Sequence, residues 1–134
     1  MDSLQLKKFS HLREMIKMKS KTNILDWLCS DNCRVYSVEV ARKIGSINAA
    51  IYLSELVQRF EYHSIRNELI DDERHGKGWF CYTAEKCLDR TSMSIKEQKT
   101  ALCYLIRLGL IEQKNFGVPC KRHFRINKKA LELY

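Results

Sequence analysis

The strongest regular pattern of apolar and polar positions lies between residues 94 and 108. At about 100° per residue, a broad arc carries mostly apolar side chains and a narrow opposite stripe carries polar and cationic ones. The arc holds Ile95, Gln98, Ala101, Leu102, Leu105, Ile106 and Leu108, and the stripe holds Lys96, Lys99, Thr100, Cys103 and Arg107. The pattern predicts a helix whose broad face is buried and whose stripe faces outward.

Both ends of this helix are marked in the sequence. Ser94 followed three residues later by Glu97 is a capping-box signature. Gly109 can adopt the left-handed conformation that ends a helix, and the apolar Leu110 beyond it fits a Schellman motif. The helix is therefore expected to run from Ser94 to Leu108.

A shorter helix is predicted just before it. Thr83 is a candidate N-cap, and Ala84, Cys87 and Leu88 are spaced to face inward. The segment 91–93 then makes a turn. Two helices joined by three or four residues form a helix-turn-helix, in which the second helix enters the major groove of DNA.

Two strand-like runs follow, at residues 110–114 and 121–126, around a bend that contains Gly117-Val118-Pro119. The second run alternates between core-facing and outward-facing positions, with Phe124 and Ile126 expected inside and His123 and Arg125 outside. The two runs predict a β-hairpin. Residues 79–82 are short and aromatic, and they are expected to add a third strand beside it.

The first half of the chain gives a less regular pattern. Ser46 is expected to cap a long helix with a wide apolar face. Before it, residues 34–40 alternate as in a strand, whereas residues 38–44 fit a short helix ended by Gly45 equally well. Residues 24–28 predict a short helix in which Trp27 is a core residue. An amphipathic first helix is predicted from residue 4 to residue 19, and it either packs on the domain or forms a partner surface such as a homodimer interface.

The residues from Gly78 to Asn127 also carry a family resemblance. Their Leu108-Gly109-Leu110-Ile111 helix exit and Gly117-Val118-Pro119 bend resemble the winged helix-turn-helix domains of bacterial plasmid, phage and primosomal replication proteins and of related transcriptional regulators. The segment 46–53 resembles the first helix of that group. The resemblance covers roughly residues 45 to 127 and implies binding of double-stranded DNA, without a particular target.

Pattern and resemblance together predict an α+β chain that is mainly helical. Residues 45–134 are expected to form a winged helix-turn-helix with a small three-stranded antiparallel sheet. Residues 1–44 are expected to form an N-terminal helical extension. The implied role is replication initiation or transcriptional regulation, with a replication or transcription protein as a further partner.

The basic charge is concentrated in the predicted DNA-binding half. The chain has 24 basic and 16 acidic residues, a net charge of +8. Residues 79–134 hold 11 basic and 5 acidic side chains, a net +6, and no acidic residue lies between positions 113 and 131. A basic helix stripe beside a basic hairpin is the charge distribution that phosphate contacts require.

The candidate DNA-binding residues follow from the stripe and the hairpin. Base contacts in the major groove are assigned to Lys96, Lys99, Thr100 and Cys103, on the helix that Ser94 begins, and backbone contacts to Arg107 and Lys114. The wing residues Lys121, Arg122 and Arg125 are expected to contact phosphates or the minor groove. The competing hypothesis is a protein-interaction module whose basic face docks on an acidic partner, since one fold hosts many functions.

Other classes of function find little support in the sequence. The chain has no apolar run long enough to span a membrane and no secretory leader, so a cytoplasmic protein with reduced cysteines is expected. The six cysteines form no C-x-x-C pair, and no metal or other cofactor is predicted. No catalytic motif is present and the four histidines are scattered, so the chain is predicted not to be an enzyme.

Overall fold

A computed structural model describes the backbone of residues 23–133 and the side chains of residues 23–132. Within this range the chain forms six helices and four strands in the order αααββααββα. The helices are α1 (Ile24–Leu28), α2 (Val38–Ile44), α3 (Ile47–Ile65), α4 (Ala84–Thr91), α5 (Ile95–Arg107) and α6 (Lys128–Leu133). The strands are β1 (Ile70–Asp72), β2 (Gly76–Cys81), β3 (Ile111–Phe116) and β4 (Lys121–Ile126). The expected α+β class is confirmed.

The chain divides into two compact units after Arg34. The helix α2, which we assigned to an extension ending at residue 44, belongs to the second unit, and its Ile44 is part of that unit's core. In the first unit, α1 begins with a capping box between Asn23 and Asp26. Trp27 on α1 is 60% exposed, so its prediction as a core residue is wrong. The predicted amphipathic helix at residues 4–19 lies outside the described residues.

The four strands form one antiparallel sheet with the order β1-β2-β4-β3. The expected sheet had three strands. The additional strand, β1, arises from Ile70-Asp71-Asp72, which folds back on β2 through the turn at residues 73–75. The sequence did not predict this strand, because it is only three residues long and two of them are aspartates.

Local signals explain why the helices begin and end where they do. Ser37, Ser46 and Thr83 each accept a hydrogen bond from the backbone N–H three residues on, as N-caps do. Gly45 ends α2 with a φ of 84°, a left-handed conformation that glycine adopts without strain. The segment 38–44, for which the sequence allowed either a strand or a helix, is therefore a helix.

The core of the second unit lies between α3, the sheet and α5. Buried aromatic residues fill its centre, and aliphatic residues of α3 and α5 surround them. Among the fully buried side chains are Tyr52, Trp79, Phe80, Tyr82, Leu105 and Phe124. Their burial fixes α5 to the body of the unit by its apolar arc. Leu88 of α4, expected to face inward, is 45% exposed, whereas Cys87 beside it is fully buried.

A buried ionic group connects α3 to α4. The carboxylate of Glu55 is 2% exposed and accepts hydrogen bonds from the Arg90 Nε at 2.6 Å and from the Tyr82 hydroxyl at 3.1 Å. Burial raises the pKa of the Tyr82 hydroxyl, so this group stays protonated as a donor, and the hydrogen bond to Glu55 raises the pKa of Arg90. One carboxylate thus connects α3, α4 and the residue that follows β2.

Within residues 23–133, no helix is both long and apolar enough to cross a lipid bilayer.

Removing Arg90 is expected to destabilise the second unit. Arg90→Met leaves the Glu55 carboxylate buried without its guanidinium, which should lower the free energy of unfolding by about 2 to 3 kcal/mol. This is below the cost for a fully buried pair because the Arg90 side chain is 29% exposed. Tyr82→Phe, which removes one hydrogen bond, should cost only about 1 kcal/mol. Urea unfolding measures both, and an Arg90→Met variant as stable as the parent would contradict the account.

Candidate nucleic-acid interface

The junction between α4 and α5 is held by side chains that the helices themselves supply. Ser92 ends α4 in a left-handed conformation with a φ of 63°. The Thr91 hydroxyl accepts from the Met93 N–H at 3.2 Å and donates to the Cys87 carbonyl at 2.6 Å. The Thr91 hydroxyl thus bonds both to the last turns of α4 and to the residue that precedes Ser94.

The side chain of Gln98 also stabilises this junction. Its side chain is 1% exposed, and its amide Nε2 donates to the carbonyls of Ala84 and Met93, both at 3.0 Å. One amide therefore joins α5 to the start of α4 and to the turn. The sequence placed Gln98 on the buried arc but gave no sign of this role, because a glutamine at one core position can bond in several directions.

The ends of α5 match the sequence prediction closely. The Ser94 hydroxyl accepts from the Glu97 N–H at 3.1 Å, and the Glu97 carboxylate accepts from the Ser94 N–H at 3.0 Å. This backbone hydrogen bond lowers the pKa of Glu97. At the other end, the N–H of Leu110 donates to Leu105 and that of Gly109 to Ile106, the two bonds of a Schellman motif.

The five residues of the predicted stripe are all exposed along α5: Lys96, Lys99, Thr100, Cys103 and Arg107. The side chains of Lys96, Lys99 and Arg107 make no hydrogen bond or ion pair with any residue of the described range 23–133. The Thr100 hydroxyl donates to the Lys96 carbonyl of its own helix at 3.0 Å. The stripe therefore offers three uncommitted cations, while its hydroxyl is already used as a donor.

The β3–β4 hairpin carries two further exposed cations. Lys114 lies on β3 and Lys121 on β4, where Lys121 pairs in register with Phe116. The bend beyond them exposes Val118 completely. Five cationic side chains on α5 and the hairpin thus remain open to solvent.

Arg122 was expected to be exposed and available for DNA, but its guanidinium bonds to groups inside the unit. Its Nε donates to the Tyr82 carbonyl at 3.0 Å, its Nη2 donates to the Tyr52 hydroxyl at 2.9 Å, and its guanidinium lies 5.0 Å from the centre of the Phe124 ring. Burial raises the pKa of Tyr52, so this phenol stays neutral beside the cation. Arg122 therefore connects β4 to α3 inside the unit.

Arg125 is also engaged within the protein. Its Nε bonds to the Glu112 carboxylate at 2.5 Å and its Nη1 donates to the His75 carbonyl at 3.1 Å, while the guanidinium stacks 4.7 Å from the centre of the Trp79 ring. The hydrogen bond from Arg125 lowers the pKa of Glu112. Gly76 has a φ of 95°, a left-handed conformation that favours glycine, and an added β-carbon there would lie 2.7 Å from the Arg125 Nη1.

The outer face of the hairpin also buries a histidine that was expected to face solvent. His123 is 6% exposed because the Phe116 ring stacks on it with centroids 4.0 Å apart. His75 stacks on the same phenylalanine at 4.9 Å. The alternation of side chains along β4 was correctly predicted. The stacking of Phe116 over His123, which buries the face of the sheet opposite the core, was not predicted. Phe116 is the last residue of β3, but the strand predicted from the sequence ended at residue 114, so its packing role was not predicted.

Comparisons with known proteins support the fold. No protein-family model matches the chain, and no curated protein does. A solved structure titled "Structure of Rep-DNA complex" matches with a TM-score of 0.53 and 21% identity, over 81% of this chain and 84% of that one. At this identity the likeness concerns the fold.

The same match contradicts one prediction from the sequence. The absence of catalytic motifs led us to predict that the chain is not an enzyme, and the likeness to a protein whose title names it a Rep protein overturns that prediction. Missing motifs are weak evidence, because catalytic groups can be brought together from distant parts of a chain. We therefore withdraw the non-enzyme prediction.

The neighbouring cations Arg122 and Lys121 should respond differently to truncation. Arg122→Ala removes two internal hydrogen bonds and the packing on Phe124, so it should lower the free energy of unfolding by about 2 to 3 kcal/mol. Lys121→Ala, one residue away and exposed, should change stability by less than about 0.5 kcal/mol. Thermal or urea unfolding of the two variants makes the comparison. Equal stabilities would show that Arg122 has no structural role.

Proposed function

We propose that residues 45–134 form a winged helix-turn-helix that binds double-stranded DNA during replication initiation. The elements α4 and α5 are the helix-turn-helix, and the β3–β4 hairpin is the wing. In this proposal α5 enters the major groove, and the wing contacts the adjacent backbone. The single observation that carries the proposal is the row of uncommitted cations on the exposed face of α5, together with the two on the hairpin.

The geometry of α5 supports its role as a rigid recognition helix. It is capped at both ends, fixed to α4 by Gln98, and buried along its opposite face. A helix whose position is fixed can present Lys96 and Lys99 to base edges with little loss of conformational freedom in its backbone. Lysine donates to the O6 and N7 atoms of guanine, and it also binds phosphate.

The structure refines the set of contacts expected from the sequence. We retain Lys96, Lys99, Cys103 and Arg107 on α5 and Lys114 and Lys121 on the wing. Ser94 and Thr100 stay at the interface, although both hydroxyls already bond to their own helix. We assign Arg122 and Arg125 to holding the wing in place, because their guanidinium groups already donate to protein acceptors.

The choice of replication over transcription rests on the structural neighbour, whose title describes a Rep protein with DNA. The role in transcriptional regulation and the protein-docking module receive no comparable support. Homodimerisation through the N-terminal helices concerns residues outside the described range, and it remains a prediction.

Two double variants and a charge-matched control test the proposal. Binding of the full chain to fluorescent duplexes is measured by anisotropy at several salt concentrations. Lys114→Ala/Lys121→Ala should weaken binding to all duplexes and reduce the slope of log K against log salt by about 2, since each phosphate contact contributes roughly 0.9. Lys96→Ala/Lys99→Ala should in addition reduce the preference for a selected duplex over a random one.

The control is Arg42→Ala/Lys43→Ala on α2, which removes the same charge. Helix α2 packs against α3, and its Arg42 is paired with the Glu39 carboxylate at 2.9 Å, so this pair of cations is not part of the proposed interface. This control should retain the parent's salt slope to within about 0.5 and its preference for the selected duplex. If all three variants lose affinity equally, binding reflects overall charge and the proposed interface is wrong.

A further inference from the structure

The first turn of α5 presents an apolar side chain where base-reading groups are expected. Ile95 is the first residue of the helix and is 58% exposed. It does not belong to the core of the unit. The helix entry is held instead by the buried Met93 and by the Gln98 amide that donates to the Met93 carbonyl. The fold therefore does not require an isoleucine at this position.

The polar groups around Ile95 are committed to the helix itself. The Ser94 hydroxyl and the Glu97 carboxylate bond to each other's backbone N–H groups, and the Thr100 hydroxyl donates to a helix carbonyl. Among the residues of the first two turns that face outward, Lys96 and Lys99 keep free donors and Ile95 supplies exposed carbon. The first two turns of α5 therefore present two cationic donors and one apolar side chain.

We propose that Ile95 determines sequence specificity by contacting the C5-methyl group of a thymine in the major groove. This inference rests on the proposed function. Of the four bases, only thymine presents a methyl group in that groove, and side chains read it by apolar contact. The N-terminal residues of a recognition helix are those that meet base edges. Lys99 lies one turn further along the same side of α5, so the preferred site places a guanine close to that thymine.

The test removes the methyl group and leaves base pairing intact. A duplex is first selected from a random pool with the full-length protein, and each thymine in it is then replaced in turn by deoxyuridine. Dissociation constants are measured by anisotropy at constant salt. For the parent, one thymine in each bound site should show an affinity loss of about four-fold, the value expected for exposing one buried methyl group.

The variant Ile95→Ala should bind the thymine and deoxyuridine duplexes equally well. The matched control is Ile106→Ala, which truncates another exposed isoleucine of α5, 42% exposed and three turns away. It should keep the parent's four-fold response. Urea unfolding confirms that both variants are folded, and Ile95→Val, which keeps a branched apolar side chain, should retain most of the response.

The outcomes separate this inference from the proposed function. A parent that binds no duplex would overturn both. A parent that binds a selected duplex but responds to no deoxyuridine substitution would overturn the role of Ile95 alone. The same holds if the Ile95→Ala variant keeps the parent's sensitivity to methyl removal.

Discussion

A buried carboxylate, Glu55 of α3, is the group on which the arrangement of the helices depends. An ionised carboxylate in a protein interior must be paired and hydrogen-bonded, because an unpaired one carries a large desolvation cost. Its partners Arg90 and Tyr82 come from α4 and from the residue that follows β2. Arg122 extends the network, since it bonds both to Tyr82 and to the hydroxyl of Tyr52. The requirement to satisfy one charge thus fixes α3, α4 and β4 relative to each other.

The cations on α4, α5 and the hairpin fall into two groups. The three arginines Arg90, Arg122 and Arg125 donate to protein acceptors, a role that suits a planar guanidinium with five donors. The lysines on α5 and the hairpin remain in solvent, where a flexible ammonium group suits phosphate. A count of basic residues therefore overestimates the number of cations available to contact DNA. The proposed contacts are mainly lysines, and the arginines stabilise the elements that carry them.

Features encoded locally could be predicted from the sequence. The capping box at Ser94, the Schellman end at Gly109 and the polar stripe of α5 each depend on residues within one or two turns. The broad arc was predicted less accurately, because its Ile95 and Ile106 are 58% and 42% exposed. The partners of Arg122 and His123 could not be predicted, because they lie on strands and helices far away in sequence. The strand β1 is too short for a periodic signal. The stripe predicted on α5 is therefore exposed as expected, whereas Arg122 and Arg125 of the hairpin bond within the protein.

The exposed thiol of Cys103, in the middle of the α5 stripe, allows a direct test of the central claim that this stripe faces DNA. The full chain is treated with a small maleimide, with and without saturating duplex, and the modification rate of each cysteine is followed by peptide mass spectrometry. Duplex should slow alkylation of Cys103 at least several-fold and leave the exposed Cys33 unchanged. Alkylation of Cys103 at the same rate with and without duplex would contradict the account.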